Sequence, residues 1–271
     1  MTSVQSLAAE FQRIRPSLKS FILRMTASVT ETEDLVQDTY LKAHERLQTF
    51  REESSLKTWI FSIGSNLAKD HLRSKKLWPE TVTDICRTAT LADPDFLNDL
   101  IRVRLTSPHG NFEISEHIAF CFTCIGKSLP IEQQLTLLLK EVYEFKVSEI
   151  ATILEKTEAM VKYYLHTGRT KMINIFENRC ALINKNGPCH QCSELNGIFN
   201  PKQKLQEEAM KIEMCREHEN GNNDRERLFD LRMKIVRAID PFNSPASELQ
   251  LLHLQHNKEV MDEHLKKEGK L

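Results

Sequence analysis

Apolar residues recur every three or four positions through three stretches near the start of the chain, and that spacing predicts amphipathic helices. The first stretch covers residues 7–25, where Pro16 predicts a kink or a break into two pieces. The second opens at Thr30, which is followed three positions later by a glutamate in capping-box spacing. The third covers residues 56–67 and ends in basic side chains. These patterns predict a helical domain over residues 1–79.

Helical periodicity fades over residues 80–115, where prolines, a glycine and scattered Asp and Asn residues interrupt the apolar pattern. We expect one short helix there, around residues 96–105. A long loop without regular structure is unusual inside one domain and ordinary between two. The segment is therefore predicted to be a flexible linker between domains.

Residues 116–186 return to a helical pattern and contain a short helix, a tight turn and a longer helix. The short helix is predicted at residues 147–154, and Thr157 is placed to cap the helix that starts at Glu158. This succession is typical of a helix-turn-helix. Glu155 stands in the turn where glycine is common, so the turn must form without a left-handed glycine or with strain.

A tail over residues 187–271 begins with a cysteine-containing segment and ends with two amphipathic helices around a proline corner at residues 241–245. These helices are expected to hold the preceding domains closed, to meet a partner, or simply to stabilise the fold. The pattern as a whole predicts an all-α protein with two helical domains, a flexible linker and a helical C-terminal extension.

Composition limits the function only weakly. The chain has 271 residues, with 37 Lys and Arg against 38 Asp and Glu, so any nucleic-acid-binding surface must be local. The sequence has no apolar run of the ~20 residues needed to cross a bilayer. Its first residues lack the order of a signal peptide. We therefore expect a cytoplasmic protein without membrane insertion, whose seven cysteines are thiols or metal ligands.

Two runs in the first block carry a family resemblance. Residues 32–43, TEDLVQDTYLKA, resemble the polymerase-binding helix of region 2 in the sigma-70 family, and residues 50–73, FREESSLKTWIFSIGSNLAKDHLR, resemble the adjoining promoter-melting segment. The helix-turn-helix block resembles region 4 of that family. Because the other sigma domains have no room between the two, the resemblance points to the extracytoplasmic-function subgroup, group IV.

The resemblance implies a non-enzymatic sigma factor that binds core RNA polymerase, directs it to promoters and assists melting at the −10 element. It implies a coiled coil of the largest polymerase subunit, promoter DNA and an anti-sigma factor as partners, and it requires no cofactor. The residues matched to polymerase binding are Asp34, Leu35, Gln37 and Asp38. Those matched to −10 DNA are Arg51, Ser54, Ser55, Asn66, Lys69, Asp70, Arg73, Lys75 and Lys76. Those for −35 DNA are Lys156, Glu158, Lys162, Tyr163, His166 and Arg169. Trp59 either stacks on DNA or, as its apolar neighbours favour, packs in the core.

Two Cys-x2-Cys pairs supply the four thiolates that a structural zinc ion requires: Cys121 with Cys124, and Cys189 with Cys192. Cys180, His190 and Cys215 give alternative ligand sets. A redox-active pair and inert thiols are the other two interpretations.

Two other classes of function compete with a sigma factor. A plain helix-turn-helix regulator would leave the first block unexplained. A thiol oxidoreductase using Cys189 and Cys192 would normally carry them at a strand-to-helix junction, and no strand is predicted there.

Overall fold

The computed structural model confirms the prediction of an all-α fold. It describes residues 3–106, 114–183, 186–192, 194, 225–245 and 247–269. Within these ranges the regular structure is helical, and the only β-type pairing is an isolated bridge between Cys180 and Cys189. Every helix in the described ranges is too short or too polar to span a membrane.

Eleven α-helices are described. They are α1 (Val4–Thr26), α2 (Val29–Glu45), α3 (Leu56–Leu72), α4 (Val82–Leu91), α5 (Pro94–Thr106), α6 (Ile114–Gly126), α7 (Ile131–Leu137), α8 (Val147–Leu154), α9 (Glu158–Arg179), α10 (Arg225–Ala238) and α11 (Ser247–Lys267). A π-helical turn, Leu138–Val142, follows α7 directly.

The helices form two compact units whose boundaries differ from the predicted domains. The first unit combines residues 1–76 with residues 129–168, and the second combines residues 77–128 with residues 169–271. Consequently the first three helices share a unit with the helix-turn-helix, and the segment 80–115 shares one with the C-terminal extension.

The first unit is built on α1, α2 and α3, which pack against one another, while α3 also packs against α8. Phe61 of α3 is fully buried, and its ring centroid lies 4.9 Å from that of Phe145 and 5.6 Å from that of Phe21. Tyr143 donates a hydrogen bond to Ser20 Oγ at 2.9 Å. Aromatic packing therefore joins the N-terminal bundle to the segment before α8.

Two predicted details of the N-terminal bundle are corrected. Helix α1 is continuous through Pro16, which is exposed. A carbonyl freed by proline can bond water on the solvent face, so the helix need not break there. Helix α2 begins before Thr30, because the hydroxyl of Ser28 caps it by accepting from the backbone N–H of Glu31.

The described part of segment 80–115 is helical rather than a flexible linker. The expected short helix is α5, and α4 precedes it unpredicted. Val82 and Cys86 of α4 and Phe96 and Leu100 of α5 are buried. Pro94 starts α5 instead of interrupting a helix, because a first-turn residue needs no intrahelical N–H donor.

The predicted helix-turn-helix pattern is confirmed in α8, the turn and α9. Glu155 takes the left-handed conformation, with φ 53° and ψ 46°. Thr157 Oγ1 then accepts from the backbone N–H of Met160 at 3.3 Å, which caps α9. The turn thus forms with a glutamate in the backbone conformation that usually selects glycine.

The second unit packs α4, α5 and α6 against α11, and α10 against α6. The two predicted C-terminal helices exist as α10 and α11. Apolar spacing predicts Leu228, Leu231, Ile235 and Ile239 as the inward face of α10. In the structure those four are only partly buried, and the buried residues are Phe229, Arg232, Met233 and Val236. Cys215 and the polar patch at residues 219–224 lie outside the described residues.

Candidate functional site

The residues matched to polymerase binding divide into exposed and buried members. Asp34, Gln37 and Asp38 are exposed along one side of α2, and Leu41 continues that side one turn further with 48% of its surface accessible. Leu35 is only 7% exposed and faces the interior of the bundle. The prediction of Leu35 as a surface contact is therefore wrong, because its apolar side chain packs inside the first unit.

The residues matched to −10 DNA follow α3 and the loop before it. Arg51, Ser55, Asp70, Arg73 and Lys76 are exposed, whereas Ser54, Asn66, Lys69 and Lys75 are partly buried. Asn66, Lys69 and Arg73 recur at helical spacing and share one side of α3. Lys69 donates to the Asn66 amide oxygen at 3.1 Å. This side presents a polar, basic surface suited to phosphates and an unstacked base.

Two side chains near this surface are engaged within the protein. Lys75 donates to Glu31 at 2.6 Å, so its charge is already paired. Trp59 is only partly buried, and its ring centroid lies 5.1 Å from that of Phe50. Trp59 was expected to pack in the core. It is instead only partly buried, because the indole packs at the edge of the loop before α3.

The residues matched to −35 DNA lie at the start of α9, where a recognition helix presents side chains to base edges. Lys156, Glu158, Lys162, Tyr163 and His166 are exposed, Tyr163 by 57%. Lys162 and Glu158 are 4.0 Å apart, a weak surface ion pair. Within the first unit, the side chains at this end of α9 are therefore exposed and accessible to a ligand.

Arg169 differs from the other matched residues of α9. Its side chain is 20% exposed, and its Nη2 lies 2.6 Å from a Glu226 carboxylate oxygen and 2.8 Å from one of Asp230. Its guanidinium also lies 4.7 Å from the centre of the Phe229 ring. Two carboxylates and a ring of α10 thus contact an arginine that the family resemblance assigns to DNA binding.

The six cysteines that the structure describes all lie in the second unit. Cys121, Cys180, Cys189 and Cys192 interact electrostatically with one another, and burial, followed by these contacts, raises the pKa of Cys192 well above its usual value. Cys124 interacts electrostatically with both Cys121 and Cys86, and its sulfur lies 3.8 Å from the Asn257 side-chain nitrogen. The four predicted zinc ligands therefore share one unit with Cys86 and Cys180.

None of the described residues forms a group of three or more Cys, His, Asp or Glu side chains already arranged to hold a metal ion. The zinc site of the sequence analysis stays a prediction. Burial raises the pKa of Cys124 to about 11, and its thiol is therefore protonated and unreactive near neutral pH.

Sequence reasoning missed several side chains that the structure places beside the matched residues or in the core. Leu41 was not singled out in the sequence. Its position three residues after Asp38 could have shown that it shares the exposed side of α2. Nothing in the sequence signalled that Glu226 and Asp230 meet Arg169, because 57 or more positions separate them from it. Arg232, which no sequence pattern singled out, is buried.

Comparison with known proteins gives two family matches. The model of Sigma-70 region 2 matches residues 11–77, and the model of Sigma-70, region 4 matches residues 121–172. All of the residues matched to polymerase, −10 DNA and −35 DNA binding fall inside these two segments. The only helices described beyond residue 179, α10 and α11, lie outside both matches.

Curated relatives carry the same family name. The chain is 27% identical over 179 residues to "ECF RNA polymerase sigma factor SigG" of Mycobacterium tuberculosis, an overlap of 61% of this chain and 47% of that protein. It is 28% identical over 153 residues to "ECF RNA polymerase sigma factor SigX" of Bacillus subtilis, covering 56% of this chain and 73% of that protein. A "Probable RNA polymerase sigma factor" of Haemophilus influenzae is 39% identical over 66 residues, 24% of this chain and 34% of that protein.

The match spans about half the length of the M. tuberculosis relative. It nevertheless includes both sigma segments in their expected order, and several relatives are named as extracytoplasmic-function, or ECF, sigma factors. The chain therefore belongs to the sigma-70 family, as a member of its extracytoplasmic-function group.

Proposed function

We propose that the protein is a sigma factor that binds core RNA polymerase, directs it to specific promoters and assists melting of the −10 region. The observation that carries this proposal is the pairing of a region 2 match with a region 4 match, each with its matched polar residues largely exposed. In this role the protein is not an enzyme. It works in the cytoplasm, where the polymerase is, and an anti-sigma factor is a further partner.

Polymerase binding is assigned to the exposed side of α2. Asp34 and Asp38 supply negative charge, Gln37 supplies a hydrogen-bonding amide, and Leu41 adds an accessible apolar group. Interfaces commonly join such polar groups to an apolar anchor. A basic surface on the polymerase is the expected complement.

Promoter recognition is divided between α3 and α9. In α3, Lys69 and Arg73 would hold phosphates beside an extruded −10 base, and Asn66 would contact that base. The exposed start of α9 would enter the major groove at the −35 element, where Lys162 contacts phosphate or guanine and Glu158 accepts from cytosine.

The C-terminal extension is proposed to restrain DNA binding. Glu226 and Asp230 of α10 neutralise Arg169 as two phosphate oxygens would. DNA and α10 therefore compete for one guanidinium. Removal of residues after about 200 should raise transcription if this restraint operates, and unchanged or lower output would contradict it.

The experiment that tests the main proposal measures binding of the labelled full chain to core polymerase without DNA. Binding through α2 distinguishes a sigma factor from a plain helix-turn-helix regulator, which would leave the first helical block unexplained. We expect the double variant Asp34→Ala, Asp38→Ala to weaken binding by about tenfold or more, since each lost charged contact is worth on the order of 1 kcal/mol.

Glu45→Ala is the matched control, because Glu45 is an exposed acid at the other end of α2. It should leave core binding within about twofold, a difference below 0.5 kcal/mol. Equal losses in the double variant and the control would mean that α2 contributes only general negative charge. Absence of any core binding would overturn the proposal.

A further inference from the structure

Two large uncharged side chains are exposed together at the start of α9: Met160 by 38% and Tyr163 by 57%. They are here termed the apolar pair. Of the seven large hydrophobic side chains that are strongly exposed within the described ranges, only these two lie within one helical turn of each other. A single exposed hydrophobic side chain needs no explanation, whereas a cluster on a binding surface does.

The opposite side of α9 packs into the first unit. Val161 is fully buried, and an added Cβ on Gly168, two turns later, would lie 3.0 Å from the Leu137 side chain. At 3.6 residues per turn, Tyr163 lies on the far side of the helix from these two positions, with Met160 one turn before it. The apolar pair is therefore outside the core of the first unit.

Local contacts fix the position of the apolar pair. The Met160 backbone N–H donates to Thr157 Oγ1 at 3.3 Å, at the helix cap. The Tyr163 ring centroid lies 5.9 Å from that of Tyr164 at an interplanar angle of 55°, a tilted aromatic contact. Because both residues belong to a capped helix, presenting them to a partner costs little additional ordering.

Polar and charged residues surround the apolar pair. Lys156 and His166 are exposed before and after it, and Lys162 lies 4.0 Å from Glu158. Lysines at the edge of a recognition helix can contact phosphates, while the N-terminal residues of that helix meet base edges. The apolar pair thus lies where a recognition helix meets bases rather than phosphates.

The major groove offers one kind of apolar group to such residues. Each base pair presents hydrogen-bond donors or acceptors there, and thymine adds a C5 methyl group. A methionine side chain has no hydrogen-bond donor and only a weakly accepting sulfur, so Met160 distinguishes bases by apolar contact. Tyr163 can add its ring to the same contact.

We propose that Met160 and Tyr163 contact thymine methyl groups in the −35 element and thereby determine part of the promoter sequence that the protein selects. The inference rests on the proposed function, because it requires α9 to enter the major groove of promoter DNA. It adds Met160 to the residues that the family resemblance supplied, and it gives Tyr163 an apolar role. The −35 element of promoters used by this protein then contains at least one A·T base pair opposite the start of α9.

The test replaces thymine with deoxyuridine, which keeps base pairing and removes only the C5 methyl group. Each thymine in the −35 element of a promoter recovered by transcription from a fragment library is replaced in turn. Binding of the labelled duplex to the polymerase complex of this protein is measured by fluorescence anisotropy. We expect one or more replacements to weaken binding about fourfold, since burial of one such group contributes about 0.8 kcal/mol. A replacement between the −35 and −10 elements should leave binding unchanged.

Variants connect the methyl effect to the apolar pair. The double variant Met160→Ala, Tyr163→Ala should bind the thymine and uracil promoters equally, which is the coupling that a double-mutant cycle measures. Both side chains are exposed and alanine favours helix, so the variant should fold. Tyr163→Phe should keep the fourfold preference, because the ring remains. Leu91→Ala is the matched control and should also keep it, since Leu91 is an exposed leucine of α4, outside the region 4 match.

Other outcomes would overturn the inference. Equal binding of the unaltered protein to the thymine and uracil promoters, or a −35 element made only of G·C pairs, would do so and leave the proposed function intact. A methyl preference that persists in the double variant would assign the thymine contact to other residues. If that variant also bound core polymerase more weakly without DNA, the apolar pair would belong to a protein interface. Failure of the complex to bind any promoter would contradict the proposed function, and the inference with it.

Discussion

Neutralising the two carboxylates that hold Arg169 should strengthen promoter binding. The perturbation is the double variant Glu226→Gln, Asp230→Asn, which keeps the size of both side chains and removes their charge. In the structure both carboxylates approach Arg169 within 2.8 Å, yet each remains 57% exposed. Solvent therefore screens the pairs, and each is worth about 0.2–1 kcal/mol.

Release of both pairs lowers the cost of freeing Arg169 by about 0.4–2 kcal/mol, a gain in promoter affinity of about 2- to 30-fold. The gain should shrink with salt, because the Debye length falls to about 3 Å at 1 M. The assay is fluorescence anisotropy of labelled promoter DNA with the polymerase complex of this protein, on a promoter recovered by transcription from a fragment library.

The control must remove the same negative charge elsewhere. Glu259→Gln with Glu263→Gln does so on α11, where the two carboxylates contact Gln255 and Lys267 of the same helix. Arg169→Ala in the double variant should return the affinity to near its starting value. An unchanged affinity, or a gain no larger than that of the α11 control, would refute the idea that α10 competes with DNA.

Three further predictions concern stability. Phe61→Ala should lower the free energy of unfolding of the first unit by about 3–5 kcal/mol in urea titrations, because the ring is fully buried among other aromatic rings. A loss below 1 kcal/mol would show that α3 does not pack there. Burial lowers the pKa of His117 to about 4 and that of His253 to about 3, so unfolded histidines bind protons more readily than folded ones below pH 6.5. The two histidines therefore leave the stability of the second unit undiminished above about pH 6.5, and reduce it by about 1.4 kcal/mol per pH unit for each histidine as the pH drops toward 4. The decrease should be less steep in His117→Gln. An equal slope in that variant would contradict the assignment. Gly187→Ala should destabilise the second unit by about 1–3 kcal/mol in the same titrations, because its Cβ would collide with backbone atoms, and wild-type stability would show that the turn does not lie against Arg179.

The sequence predicted those elements that depend on local physics. Apolar spacing located α1, α2 and α3, and a hydroxyl before an acidic residue located the cap of α9 at Thr157. The sequence predicted a turn at Glu155 made without a left-handed glycine or with strain, and the structure shows the glutamate itself in the left-handed conformation. Each of these features is determined within a few residues.

Two errors arose because each proline was taken as a helix breaker. Pro94 was interpreted as a break and instead begins α5, so the buried positions of α4 and α5 were assigned to a linker. Pro16 was expected to interrupt α1 and lies on its solvent side. The effect of a proline depends on its place in a helix, which a single sequence reveals poorly.

Long-range contacts explain the rest. The backbone pairing of Cys180 with Cys189 follows from the bend after α9, and Cys-x2-Cys spacing carries no information about that bend. Likewise, Arg232 is buried in contact with Cys180 and Phe176, and Cys180 lies 52 positions away in the sequence. Partners this distant in sequence become visible only in the folded unit.

Transcription in vitro with core RNA polymerase, this protein and a library of promoter fragments tests the central claim most directly. The account predicts specific transcripts that depend on the protein and that disappear when Asp34 and Gln37 are both changed to Ala, while Glu45→Ala leaves them intact. Transcripts that survive the double change, or a protein that neither binds core polymerase nor directs any transcript, would contradict it.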